Sequence, residues 1–165
     1  MKVKMKKIHP CAKIPFKTYD EDFCYDVVAT SCEEIAPKVY KYGIGLAFQI
    51  DSDNMRPMQS AISMGASRIL SQTLLGMDLS IDLRPRSSVW KTGMVLSNCE
   101  GTIDELFTGE VSAVFYHVMP NMPKYEVGDR IGQIKLGMTI PMELEEVEEL
   151  NETKRGSGSY GSTGK

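Results

Sequence analysis

Leu79, Ile81 and Leu83 alternate with Ser80 and Asp82, the period-two pattern of a strand with one face in a core and the other in water. The apolar-rich runs Val39–Ile50, Gly93–Leu96, Val111–Met119 and Arg130–Leu136 also read as short strands. Gly, Pro, Asn or Asp punctuates the chain about every ten residues, which predicts an all-β barrel or sandwich. Asn98–Asp104 reads as a hairpin between two of these strands. Two segments break the pattern. In Met55–Gly76, residues Met58, Ile62, Ala66, Ile69 and Thr73 fall at helical spacing and Gly76 suits a C-cap, so a surface helix packing a Met/Ile stripe is expected. Glu143–Glu152 carries six glutamates and reads as a solvated linker.

Composition narrows the function classes. A chain of 165 residues makes one domain with room for a core. A net charge of −3 argues against a nucleic-acid binder, although basic side chains that converge locally can still hold a polyanion. Cys11, Cys24, Cys32 and Cys99 show no paired short spacing, and His9 and His117 are isolated, so a zinc site is not expected and the thiols read as free in a reducing compartment. Lys2, Lys4, Lys6 and Lys7 precede no apolar run, and no stretch approaches the roughly 20 apolar residues of a membrane span. The expected setting is the cytoplasm.

The tail from Lys154 to Lys165 packs glycines, hydroxyls, Arg155 and Tyr160 into a segment that cannot build a core of its own. By composition it is a flexible terminus. Its backbone N–H groups, hydroxyls and guanidinium nevertheless suit phosphate oxygens, and Tyr160 suits a flat ring. It is no Walker A loop: the pattern fails at Ser159 and no helix can follow Lys165.

Five blocks then fall in order: Phe23-Cys24-Tyr25-Asp26-Val27-Val28-Ala29; Arg84-Pro85-Arg86-Ser87-Ser88; Asn98-Cys99-Glu100-Gly101-Thr102-Ile103-Asp104 running on to Phe107-Thr108-Gly109-Glu110; Gly128-Asp129-Arg130-Ile131-Gly132-Gln133; and the tail. In this order they resemble the five motifs of the trimeric dUTP pyrophosphatases, the dUTPases, from about Lys13 to Lys165. The resemblance implies a small jelly-roll-like β-barrel, residues 1–142, and an acidic linker with a flexible phosphate-binding arm, residues 143–165. It also implies a homotrimer whose arms are exchanged between subunits, and hydrolysis of dUTP to dUMP and pyrophosphate with Mg²⁺. Asp26 to Arg86 is longer than the family pattern by roughly one helix, so Met55–Gly76 reads as an insertion.

The roles that the resemblance implies are specific. Asp104 is the water-activating base, against a plain reading as a turn aspartate. Asn98, Gly101 and Ile103 read uracil, and Phe107 stacks under the deoxyribose where the family mostly has Tyr. Arg86, expected like Asp26 on a strand of the barrel, contacts phosphate together with Ser87 and Ser88, a task that suits a guanidinium fork and hydroxyls. Gln133 binds phosphate and helps hold the water, and Asp26 holds Mg²⁺ through water, in keeping with that ion's reluctance to dehydrate. Arg155, Gly161, Ser162 and Thr163 close on the γ-phosphate, with Tyr160 over the base. Cys24, Phe107 and Ser159 depart from the family pattern. Two alternatives remain. One is a phage-type regulatory dUTPase whose 55–76 insertion binds a protein partner. The other is dCTP deaminase, which needs a glutamate ten residues beyond the motif aspartate, where this chain has Val114.

Overall fold

The computed structural model of the chain describes residues 2–51 and 78–158. The 55–76 helix expected from sequence, and Tyr160, Gly161, Ser162 and Thr163 of the tail, lie outside the described residues.

The described residues form ten strands: β1 Lys2–Lys7, β2 Tyr25–Val28, β3 Ser31–Ala36, β4 Val39–Gly43, β5 Leu46–Asp51, β6 Asp78–Arg84, β7 Met94–Leu96, β8 Gly101–Asp104, β9 Ser112–His117 and β10 Arg130–Thr139. One five-residue 3-10 helix, Ser87–Lys91, follows β6. No described helix is long and apolar enough to cross a membrane. The strands make two antiparallel four-stranded sheets, ordered β2-β10-β6-β8 and β3-β4-β9-β7, and a β1-β5 pair. Leu79, Ile81 and Leu83 from the first sheet share one core with Tyr42, Ala113 and Phe115 from the second and Leu46, Phe48 and Ile50 from β5. Tyr42, Phe115 and Tyr125 meet edge-to-face there, and the Tyr42 hydroxyl donates to the Tyr125 carbonyl at 2.9 Å, which settles a polar group that burial would otherwise penalise.

Three expectations need correction. The run Val39–Ile50 is two strands in different sheets, because the chain turns at Gly45 with φ +68. A Cβ there would stand 2.7 Å from His9 Cβ and 3.0 Å from Ala12 Cβ, so only glycine serves the corner. Second, Asn98–Asp104 is no hairpin: β7 pairs with β9 in one sheet and β8 with β6 in the other, so residues 97–100 cross between sheets. Third, Arg86, expected on a strand, lies past the end of β6 and caps the 3-10 helix in an extended conformation. Pro85 supplies no N–H and ends the ladder before it.

Candidate active site

Asp26 is the centre of one cluster. It lies on β2 at 4% exposure, and its carboxylate accepts three hydrogen bonds from groups far apart in sequence. Arg86 Nε donates to Oδ1 at 3.0 Å, Gln133 Nε2 to Oδ1 at 3.1 Å, and Arg130 Nη1 to Oδ2 at 2.9 Å. Register explains the meeting: Gln133 on β10 stands opposite both Asp26 on β2 and Arg84 on β6, and Arg86 follows two residues later. A break in register between Arg130 and Gly132 is the kind of bulge that re-aims a side chain, here Arg130. A buried carboxylate is tolerable only when paired and hydrogen-bonded, and this one meets both conditions. Thr18, Tyr19, Asp22, Phe23 and Cys24 complete a cavity of about 480 Å³ around the cluster. Ser88 Oγ lies 3.4 Å from Arg86 Nη1, while Ser87 is exposed beside them.

Asp104 is the centre of the other cluster. It ends β8, exposed, and no donor among the described residues reaches its carboxylate. Ile103, Asp104 and Phe107 line a hollow of about 210 Å³ with Thr102, Glu110, Val111 and Ser112. The Phe107 ring lies over Gly109, where a Cβ would come within 2.7 Å of its Cζ. The Asn98 side chain sits against Gly101, its Nδ2 3.3 Å from where a Cβ would stand. Arg155 is exposed and donates from Nε to the Gly158 carbonyl at 2.9 Å.

The residues expected to act together thus fall into two groups. Asp104 stands opposite Ser80, and Asp26 lies across Gln133 from Arg84, four residues further along β6 and three strands over. Strand geometry turns that offset into roughly 20 Å, too far for one water to touch both carboxylates. Within one chain the two clusters are not one site.

Arg130 is a member of the cluster that the sequence pattern does not single out. Its signal there was a guanidinium three residues before Gln133. A second network, also unforeseen, joins Ser80, Asp82, Lys135, Glu100 and Arg84. Lys135 Nζ donates to Asp82 at 2.7 Å, Ser80 donates to Asp82 at 2.8 Å, and Arg84 pairs with Glu100. Burial opposes ionisation of Asp82, but the bonds from Lys135 and Ser80 outweigh it and hold the carboxyl below its ordinary value.

Among the described residues no group of three or more His, Cys, Asp and Glu side chains converges to cage a metal. One buried carboxylate in a cavity lined by guanidiniums suits a cation that keeps its water and takes its other ligands from phosphate, which describes Mg²⁺ better than zinc or calcium.

The family model for dUTPase matches residues 61–164. The chain is similar to the deoxyuridine 5'-triphosphate nucleotidohydrolase of Helicobacter pylori, 32% identical over 164 residues that cover 99% of this chain and 97% of that one. It is also similar to the enzyme of that name from Clostridium novyi, 29% identical over 165 residues covering 99% of each. Among solved structures it resembles the dUTPase of Staphylococcus bacteriophage 80alpha bound to dUPNHPP, with TM-score 0.70 and 19% identity over 99% of this chain and 98% of that one. It also resembles the dUTPase of phage phi11 of S. aureus, which carries a species-specific insert, with TM-score 0.63 and 15% identity over 93% and 100%. A variant of the phi11 protein coordinates a structural Mg(II) ion. At such identities the likeness carries the fold, a jelly-roll-like β-barrel.

Proposed function

The chain belongs to the dUTPase family, and from that premise we propose that it cleaves dUTP to dUMP and pyrophosphate at sites assembled from more than one subunit of a homotrimer. The observation that carries this reading is the convergence of Asp26, Arg86, Arg130 and Gln133 in one polar cavity, a constellation fit for a polyphosphate and a hydrated cation.

Cleavage between the α- and β-phosphates needs charge neutralisation, an aimed water and a stable leaving group, so catalysis is chiefly positioning and electrostatics. Arg86, Ser87, Ser88 and Gln133 bind phosphate oxygens. Asp26, still held by Arg130, would hold Mg²⁺ through water, and the ion would supply neutralisation of phosphate charge. Asp104 takes a proton from the attacking water, for which a carboxylate that no donor among the described residues engages is suited. Asn98, Gly101 and Ile103 read the uracil edge, and Phe107 lies under the deoxyribose. Arg155, Tyr160, Gly161, Ser162 and Thr163 close from the arm, with Tyr160 over the base. The offset of roughly 20 Å between clusters supports a site in which the Asp104 end of one subunit faces the Asp26 end of a neighbour. The four free cysteines accord with work in the cytoplasm.

The decisive experiment is an assay of pyrophosphate release from dUTP, dTTP, dCTP and UTP with Mg²⁺, beside the oligomer mass in solution. Turnover of dUTP alone, by a trimer, is expected. Equal turnover of dTTP would overturn the base-reading roles, equal turnover of UTP would overturn the deoxyribose role of Phe107, and an active monomer would overturn the shared site.

A further inference from the structure

Glu100 sits in the crossover between β7 and β8, two residues after Asn98 and one before Gly101. The β6–β8 ladder stops at the pair Gly101–Leu83, so backbone pairing does not hold residues 98–100 to β6. Side chains do. Arg84, the last residue of β6, directs both Nε, at 3.0 Å, and Nη2 onto Oε1 of Glu100. Lys135 Nζ lies 3.8 Å from the same oxygen while donating to Asp82. Arg84 is two residues before Arg86, and Lys135 is two residues after Gln133. Glu100 therefore ties the turn that carries Asn98 to the two strands that lead to the phosphate-side cavity.

We infer that Glu100 is a positioning residue: its ion pair with Arg84 and Lys135 fixes the Asn98–Gly101 turn in the shape that selects uracil. The inference rests on the proposed reading that this turn meets the base. Both partners are about a third exposed, 36% for Glu100 and 37% for Arg84, so the pair adds little to global stability. Its effect is local, because a turn without ladder bonds samples more conformations unless side chains hold it. A base-reading amide that wanders loses ground-state affinity and discrimination. It does not change how the water is activated, so the signature is in KM rather than kcat.

The test compares wild type with Glu100→Gln and with the charge-exchanged double variant Arg84→Glu/Glu100→Arg. Steady-state kinetics on dUTP and dCTP, melting temperature, and hydrogen exchange of the 97–102 amides are measured for each. For Glu100→Gln the KM for dUTP should rise about tenfold with kcat within about twofold, and the preference for dUTP over dCTP should narrow. Exchange at 97–102 should quicken while the melting temperature stays within about 2 °C. The double variant should recover at least part of the lost affinity. Unchanged KM and exchange in Glu100→Gln would overturn the clamp, as would a joint fall of kcat and melting temperature. A wild-type enzyme indifferent to the base would remove the base-reading turn itself, and the inference with it. That failure is distinguishable, because it shows before any variant is made.

Discussion

Asp26 and Asp104 occupy the two edge strands of one four-stranded sheet, and their surroundings are opposite. Asp26 is buried with both oxygens engaged by Arg86, Arg130 and Gln133. Asp104 is exposed, and no donor among the described residues reaches its carboxylate. A carboxylate whose lone pairs are filled by guanidiniums is a poor proton acceptor, but it keeps cations in place. A bare carboxylate keeps a lone pair for a water proton. In the proposed function, environment more than residue type is what suits Asp26 to the electrostatic task and Asp104 to that of the base.

The sharpest way to break this contrast is to neutralise each aspartate. Asp104→Asn should lower kcat by about 10²–10⁴, as general-base loss does, with dUTP binding and melting temperature kept. Asp26→Asn should also lower activity, but it should destabilise the fold as well, since Arg86 and Arg130 lose their buried counter-charge. Equal melting behaviour in the two variants would erase the distinction. Mixed subunits carry the contrast between chains: Asp104→Asn combined with a chain ended after Leu150 should regain activity in hybrid trimers. No recovery with subunit exchange verified would place Asp104 and the arm of each site in one subunit.

A smaller effect should follow from Arg130→Met. Without this partner, the charge of Asp26 falls on Arg86 and Gln133 alone, and both are held more tightly away from phosphate. Calorimetry with pyrophosphate should show affinity weakened about fivefold to tenfold, with kcat changed less. Unchanged affinity would reduce Arg130 to a bystander.

Smaller still is the contribution of Asp82. Its carboxyl titrates below the ordinary value of 3.8 in the folded chain, so its stabilisation is full above that pH and fades as acid carries the solution through the lower, folded value. Asp82→Asn should lower stability near neutrality and flatten the acid limb of a pH–stability curve. A variant curve parallel to wild type throughout would dismiss the linkage. The smallest change is expected from replacing residues 55–76 by a short glycine-containing turn, because the family resemblance assigns no site residue to that segment. dUTP hydrolysis should persist, and a folded, trimeric but inactive product would bring the insertion into the site.

The sequence singled out residues of both clusters but not the distance between them. Leu79, Ile81 and Leu83 announced β6 because one face is buried, and the ordered motif blocks pointed to Asp26, Arg86, Asp104 and Gln133. Strand β3 was silent because all six of its residues are exposed and impose no alternation. β1 likewise has no buried residue. The Gly45 corner hid inside an apolar run, since hydrophobicity continues through a turn that only a backbone angle reveals. The crossover at 97–100 looked like a hairpin because local spacing does not say which sheet a strand joins. Arg130 and the Glu100 network were illegible for the same reason: their partners are set by inter-strand register, which a linear pattern does not contain.

The carboxylate already seated among Arg86, Arg130 and Gln133 is in effect an anion tethered inside its own receptor. Tethering gives it a local concentration that no dissolved monoanion matches. A lone orthophosphate or chloride must evict it and offers nothing in return for the stranded charge. On the proposed function, a polyphosphate would arrive with several oxygens for the guanidinium and amide, and with a hydrated cation for the carboxylate. The cavity would then be guarded against the small anions of its surroundings. Turnover should be indifferent to millimolar orthophosphate yet sensitive to pyrophosphate with Mg²⁺, and strong inhibition by orthophosphate alone would show that the seat is open.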